Sequence, residues 1–239
     1  MNSISFNHGH FDAAIIDLDG TMLDTMGDFE AALNGMLADL SLPGINRQPI
    51  EAMVGKGSEH LIHSVLNHVL AQGGRAQSAM DTAALTAESL FPAAWASYQR
   101  NYLAINGQYA AVYPGVHEGL EALRAQGLAL ACLTNKPTAF ARPLLAAKGL
   151  DVYFSQVFGG DAFARKKPDP MPLLKTCAAL GTLPERTLMV GDSSNDAQAA
   201  RAAGCRVVLV TYGYNHGAPV RAVDADGFVD SLAELAGCL

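Results

Sequence analysis

Apolar positions along the chain follow two rhythms. Residues 13–18 form a short run rich in Ile that ends in Asp-Leu-Asp-Gly-Thr, the pattern of a buried strand stopping at a loop. From there to about Gln108 nothing reads as a strand, and the spacing is helical. Phe29, Leu33, Met36, Leu37 and Leu40 recur at helical period behind Asp28 as a cap, and Pro43-Gly44 breaks the run. Ser58 is expected to cap a second helix that carries Leu61, Ile62, Val65, Val69 and Leu70 on one face, with Gly73-Gly74 ending it. A third stretch from about Asp81 to Tyr102 carries Leu85, Leu90, Trp95 and Tyr98, and Pro92 is expected to kink it or start a new helix.

After Tyr113-Pro114-Gly115 helices and buried strands alternate. Helices are expected at 116–126, 138–148, 171–180 and 195–203, and strands at 128–133, 156–158, 187–190 and 206–210. Such alternation predicts an α/β fold, a Rossmann-like parallel-sheet core with helices on both faces. The helical stretch interrupts that core after its first strand, and at about eighty residues it is long enough to be a domain. The expected division is 11–23 with 109–239 as the α/β catalytic core and 24–108 as the all-helical insertion.

Composition narrows the function. The 239 residues carry 16 basic and 23 acidic side chains, a net charge of −7, which speaks against a nucleic-acid or anionic-membrane binder. Half of the residues are hydrophobic and 16% are charged, enough apolar surface for a large core. No apolar run approaches the ~20 residues that cross a bilayer, and no basic patch precedes an apolar stretch at the start. Cys132, Cys177, Cys205 and Cys238 lie far apart without a Cys-x-x-Cys pair, so reduced thiols in the cytoplasm are expected. His8 and His10, in a polar terminal stretch, read as solvated side chains.

Asp17 and Asp19 stand two apart where the first strand ends, so both carboxylates can point the same way. Open α/β sheets bind ligands at that edge. Two crowded carboxylates repel unless a cation or a shared proton relieves them, and a hard ion such as magnesium does so with few protein oxygens. The competing reading of Asp-x-Asp alone is an acidic loop facing solvent. Later strand ends also turn polar: Thr134-Asn135-Lys136 follows one, Gly191-Asp192-Ser193-Ser194-Asn195-Asp196 follows another, and Arg165-Lys166-Lys167-Pro168-Asp169-Pro170 lies between. Brought to one edge, these would surround a metal with carboxylates, a hydroxyl, an amide and an ammonium, a set suited to phosphoryl transfer.

In these four segments and their order the chain resembles the haloacid dehalogenase-like superfamily. The superfamily's first motif is present as Asp17-Leu18-Asp19-Gly20-Thr21, its hydroxyl after a strand as Thr134, its Lys-Pro as Lys167-Pro168, and its acidic last motif as Gly191-Asp192 with Asp196. The helical insertion resembles the family's cap, and coverage runs from about Phe11 to the carboxyl end. Thr134-Asn135-Lys136-Pro137, Phe158-Gly159-Gly160-Asp161, residues 165–170 and Thr211-Tyr212-Gly213-Tyr214-Asn215-His216-Gly217 look most like bacterial phosphoglycolate phosphatases, although related sugar-phosphate phosphatases share several of these marks.

The resemblance implies a magnesium-dependent phosphomonoester hydrolase in which Asp17 takes the phosphoryl group and Asp19 is the general acid and base. It implies magnesium on the Asp17 carboxylate, the Asp19 main-chain carbonyl and the Asp192 carboxylate, with Asp196 supporting from behind. Thr134 and Lys167 would grip the phosphoryl oxygens, with Gly20, Thr21 and Asn135 as further substrate contacts. Lys166 and Lys136 read as a solvated neighbour and a surface or helix-start residue, and Asp24 and Asp28 as linker and cap residues. For Tyr212, Tyr214, Asn215 and His216, packing and substrate contact stand as equal readings. Trp95 and the nearby tyrosines are expected to form the core of the helical insertion.

Asp19 separates reaction classes, because a dehalogenase of the superfamily has no leaving alkoxide to protonate and characteristically lacks the second acid. Phosphatase therefore leads over a phosphomutase, which must hold its phosphoenzyme against water, and over a non-catalytic binding protein. The leading substrate is 2-phosphoglycolate, with another sugar phosphate such as N-acetylmuramic acid 6-phosphate as alternative. Lys56, in the glycine-flanked loop Val54-Gly55-Lys56-Gly57-Ser58, is the expected partner of the substrate's far carboxylate. A plain helix-linking turn fits that loop equally well.

Overall fold

The computed structural model describes residues 11–72 and 85–239. His8, His10, the Gly73-Gly74 break and the expected helix start at Asp81 lie outside them. The fold is α/β. Six parallel strands form one sheet in the order β5-β4-β1-β6-β7-β8: β1 is Ala13–Ile16, β4 Ala129–Leu133, β5 Gln156–Phe158, β6 Thr187–Gly191, β7 Arg206–Val210 and β8 Gly227–Val229. All four residues of β1 are buried, as a central parallel strand covered on both faces requires.

Alternation along the strands sorts their side chains to the two faces. Ala14, Ile16, Leu188, Val190, Val208 and Val210 pack against α5 (Val116–Ala125), α6 (Thr138–Ala147) and α9 (Leu232–Ala236). Ile15, Met189, Val207 and Leu209 pack against α7 (Met171–Leu180) and α8 (Ser194–Ala203). The expected helices and strands of this part are present within a residue or two. The closing pair β8 and α9 was not foreseen; Gly227-Phe228-Val229 is too short to carry a period.

Between β1 and β4 the chain forms α1 (Met26–Asp39), α2 (Arg47–Met53), α3 (Ser58–Ala71) and α4 (Ala87–Ile105). They share an apolar cluster of their own that includes Phe29, Leu33, Leu37, Leu61, Val65, Tyr98 and Tyr102, with Phe140 of α6 inserted from the sheet side. Trp95 packs at its margin. No strand occurs among the described residues 25–110, but the chain leaves and re-enters through two very short antiparallel strands, β2 (Leu23–Asp24) and β3 (Ala111–Val112).

Several local expectations are corrected. α1 begins at Met26, two residues before Asp28, because Asp24 accepts from the Met26 amide and Asp28 is needed elsewhere. Ser58 is the first residue of α3 rather than its cap, which is Gly57. Pro92 lies inside a single helix, α4, that Thr86 starts with a capping box through Ser89. α2 carries too few apolar residues to show a period, and only Ile50 is buried.

Asp28 is fully buried and accepts from the main-chain amides of Gly107 (2.7 Å) and Tyr109 (2.8 Å), so it ties α1 to the strand-ward return of the chain. Asp28→Ala strands both amides and should destabilise the protein by about 2 to 4 kcal/mol. Urea unfolding checks this; a loss of only a few tenths would mean water replaces the carboxylate.

Candidate active site

β1 is flanked by β4 and β6, with Ile16 in register with Cys132 on one side and Val190 on the other, so the residues just beyond these strands leave the sheet at one edge. Over this edge lies a cavity of about 40 Å³, closed from above by the helical layer. Of the expected site residues, Asp17, Asp19, Thr134, Asn135, Lys167, Asp192 and Asp196 line it.

Lys167 organises the floor. Its ammonium is 4% exposed as a residue, lies 2.9 Å from Asp17 Oδ1, and donates to Asp196 Oδ1 (2.7 Å) and the Leu133 carbonyl (2.8 Å). Its main chain is gripped by Asn135, which accepts from the Lys167 amide (3.0 Å) and donates to the Lys167 carbonyl (2.8 Å). Asp196 is committed to structure. Its Oδ2 accepts from the Ser193 hydroxyl (2.8 Å) and amide (3.2 Å) at the start of α8, and from the Asp192 amide (3.3 Å).

Asp192 Oδ2 accepts from the Tyr214 amide (2.7 Å). Its seat needs glycine on both sides: a Cβ on Gly20, whose φ is +81°, would lie 2.3 Å from Asp192 Oδ2, and one on Gly213 would lie 2.2 Å from Asp192 Cβ. Gly20 and Thr21, expected as substrate contacts, sit in the adjoining turn. They do not line the cavity; the Gly20 amide donates to the Leu23 carbonyl and the Thr21 amide to the Leu18 carbonyl in a tight turn.

Asp19 points away from the acidic cluster formed by Asp17, Asp192 and Asp196. Its Oδ1 accepts from Thr25 Oγ1 (2.8 Å) and Lys136 Nζ (2.9 Å). Lys136 is the chief correction. It is 5% exposed rather than a surface residue, and its ammonium sits 4.5 Å from the Phe29 ring centre and 4.6 Å from that of Tyr102. Nothing in Thr-Asn-Lys-Pro announces this, since the aromatic walls come from α1 and α4, more than thirty residues away. The Thr134 hydroxyl oxygen accepts from the Lys136 amide (3.1 Å), which leaves its hydrogen for a ligand.

The loop after α2 reaches the core through a carbonyl rather than through its lysine. Gly55 O accepts from Asn135 Nδ2 (3.0 Å) and Asn195 Nδ2 (3.1 Å), while Lys56 is exposed and is not part of the cavity wall. The Tyr212–Gly217 segment is a strap across the site. Tyr212 donates to the Thr21 carbonyl, the Tyr214 hydroxyl accepts from the Thr25 amide and donates to Asp24, and Asn215 accepts from the Ser194 amide. Asn215 and His216 take φ values of +35° and +54°, and His216 Nδ1 bonds the Val54 carbonyl at 2.8 Å, so His216 lines the cavity too.

Burial pushes the Asp17 carboxyl up to about 7 despite Lys167, and the neighbouring Asp196 adds to the rise. Burial likewise raises Asp192 well above the carboxylate range, with Asp196 and Asp17 adding to it. Burial alone would lower Lys167, but Asp17 and Asp196 hold its ammonium firmly charged. One carboxylate oxygen from each of Asp17, Asp192 and Asp196 lies within 4.8 Å of the others, and this buried triad could bind a metal. All-oxygen donors under mutual repulsion fit a hard divalent cation.

The family profile described as haloacid dehalogenase-like hydrolase matches residues 14–210. A phosphoglycolate phosphatase of Thiobacillus denitrificans is 43% identical over 224 residues, covering 94% of this chain and 93% of its own. One of Nitrosospira multiformis is 46% identical over 222 residues, covering 93% and 92%. The crystal structure of a predicted phosphoglycolate phosphatase from Haemophilus somnus superposes with a TM-score of 0.87 at 33% identity, over 95% of this chain and 97% of that one. The chain belongs to the haloacid dehalogenase-like hydrolases. Within that family it is a phosphoric monoester hydrolase similar to the phosphoglycolate phosphatases along nearly its whole length.

A carboxyl raised from 3.8 to about 7 by folding favours the folded state fully below the lower value, and that contribution is lost as pH rises through the upper one. Asp192 acts in the same direction. Without divalent ions, stability should therefore decline from pH 5 to pH 8, and Asp17→Asn should lessen the decline. Urea unfolding in chelator at both pH values measures it; parallel losses in both proteins would contradict the assignment.

Proposed function

We propose that this chain is a magnesium-dependent phosphomonoester hydrolase that works through an aspartyl-phosphate on Asp17 and converts 2-phosphoglycolate to glycolate and phosphate. One observation carries the reading: four separated segments bring Asp17, Thr134, Lys167 and Asp192 around one small buried cavity, with Asp19 on its wall. The names of the relatives support the substrate. The insertion 24–108 acts as a cap over the core formed by 11–23 and 109–239. The free cysteines, three of them buried, support a reducing cytoplasm, and among the described residues no helix is long and apolar enough to cross a membrane.

The Asp17 and Asp192 carboxylates and the Asp19 main-chain carbonyl are the oxygen donors that would hold magnesium. When bound, magnesium supplies charge neutralisation at the phosphoryl oxygens. Asp17 attacks phosphorus; Lys167 lies beside its oxygen and pairs with the phosphoryl charge, while the Thr134 hydroxyl donates to a second oxygen. Asp19 gives a proton to the leaving alkoxide and then takes one from the water that cleaves the acyl phosphate. The helical layer shuts solvent from these steps. Asp196 keeps Lys167 and the Asp192 loop in place.

Asp17→Asn should abolish turnover of 2-phosphoglycolate while circular dichroism shows an intact fold; near wild-type hydrolysis would remove Asp17 from the chemistry. Asp19→Asn should slow the first step, read as the burst of released alcohol, much more with an alkyl phosphate than with an aryl phosphate, whose leaving group needs no proton. Equal losses would give Asp19 a structural role. Chelation should stop catalysis without unfolding the chain, and the apparent magnesium affinity should rise from pH 6 to pH 8 as protons cease to compete. Calorimetric titration of magnesium at the two pH values reads this directly.

A further inference from the structure

The cavity holds a second ammonium that the scheme above leaves without a task. Lys136 and Lys167 are the lysines on its wall, and Lys167 is spent on Asp17, Asp196 and the Leu133 carbonyl. His216 cannot attract an anion from its resting state. Its Nδ1 faces a carbonyl, which can only accept, so in the neutral ring Nε2 is a bare acceptor, buried and unpartnered. Burial lowers the His216 pKa and keeps the ring neutral. Lys56 is exposed and off the wall. Lys136 remains, held between two aromatic faces with Asp19 as its carboxylate partner.

Resting on the reading of the site as a 2-phosphoglycolate phosphatase, we propose that Lys136 is the specificity-determining residue: it binds the carboxylate of the leaving group, which replaces Asp19 on the ammonium, and Asp19, having lost its counter-charge, takes up a proton from solvent as the substrate enters and turns to the leaving oxygen. A buried ammonium strongly resists losing its counter-charge. Exchange of one carboxylate for another preserves that charge, whereas an uncharged tail offers nothing in return and leaves Asp19 clamped between Lys136 and Thr25. Phe29 and Tyr102 keep water from the exchange and hold Nζ at the cavity edge. Selectivity then arises in kcat as well as in KM, because the substrate's own carboxylate releases the proton donor.

The test compares 2-phosphoglycolate with ethyl phosphate, which has the same chain length and no tail charge, in wild type and Lys136→Met. The variant should lower the ratio of kcat/KM values (2-phosphoglycolate over ethyl phosphate) by about ten-fold or more, the effect of losing one charge-assisted contact. A second measurement needs no variant: formate added to wild type should raise kcat for methyl phosphate, since the two together supply the pieces of the natural ester. Lys136→Met should not respond to formate. An equal loss on both esters, or no activation of wild type by formate, overturns the proposal. If wild type hydrolyses both esters equally well, the inference falls and the phosphatase reading stands; if it hydrolyses neither, both fall.

Discussion

Burial of negative charge at the end of β1 is the constraint on which the rest of the site depends. Asp17, Asp192 and Asp196 crowd together with carboxylate oxygens within 4.8 Å, and Lys167 stands between two of them. One ammonium cannot neutralise three carboxylates, so the arrangement invites a further cation. Its positioning is distributed over the fold. The Asn135 side chain clasps the Lys167 main chain, Ser193 anchors Asp196, and the Tyr214 amide fixes Asp192. The Asn135 and Tyr214 contacts join separate segments of the chain, so the site exists only when the parallel sheet has brought their ends to one edge.

The helical layer is coupled to this charge cluster through polar contacts of its own. The Gly55 carbonyl receives two side-chain amides from the core, the Val54 carbonyl meets His216, and the Tyr214 hydroxyl bridges Thr25 and Asp24 where the chain leaves β2. These contacts number few beside the apolar cluster within the helices. Phe140 of α6 enters that cluster against Tyr102, and Lys136 lies over Phe29 and Tyr102, so the layer also joins the sheet side through buried side chains. The positive φ values of Asn215 and His216 lie in the strap that makes several of the contacts, where backbone strain is retained for position.

Much of the fold was legible because a parallel core announces itself: β5, β7 and α7 lie where the pattern places them, and the strand ends carry polar clusters that stand out against apolar runs. Local chemistry was harder to read. Asp28 looked like a cap because residue type and position allowed it, yet its carboxylate serves amides about eighty residues onward. Lys136 looked superficial because nothing adjacent to it reveals Phe29 and Tyr102. Gly20 and Thr21 belong to the motif and form a tight turn beside the cavity without lining it. In each case the deciding partner lies across the fold, where neither period nor spacing reaches.

Asp17 is the side chain proposed to carry the phosphoryl group. Asp19→Asn provides the most direct measurement, since this variant lacks the base for hydrolysing an acyl phosphate. Mixed with an aryl phosphate, quenched in acid and digested, it should yield a phosphorylated peptide that contains residues 13–23, and borohydride reduction should convert Asp17 to homoserine. A variant that releases the aryl alcohol while Asp17 never carries the phosphoryl group, or that carries it on another side chain, would contradict the account.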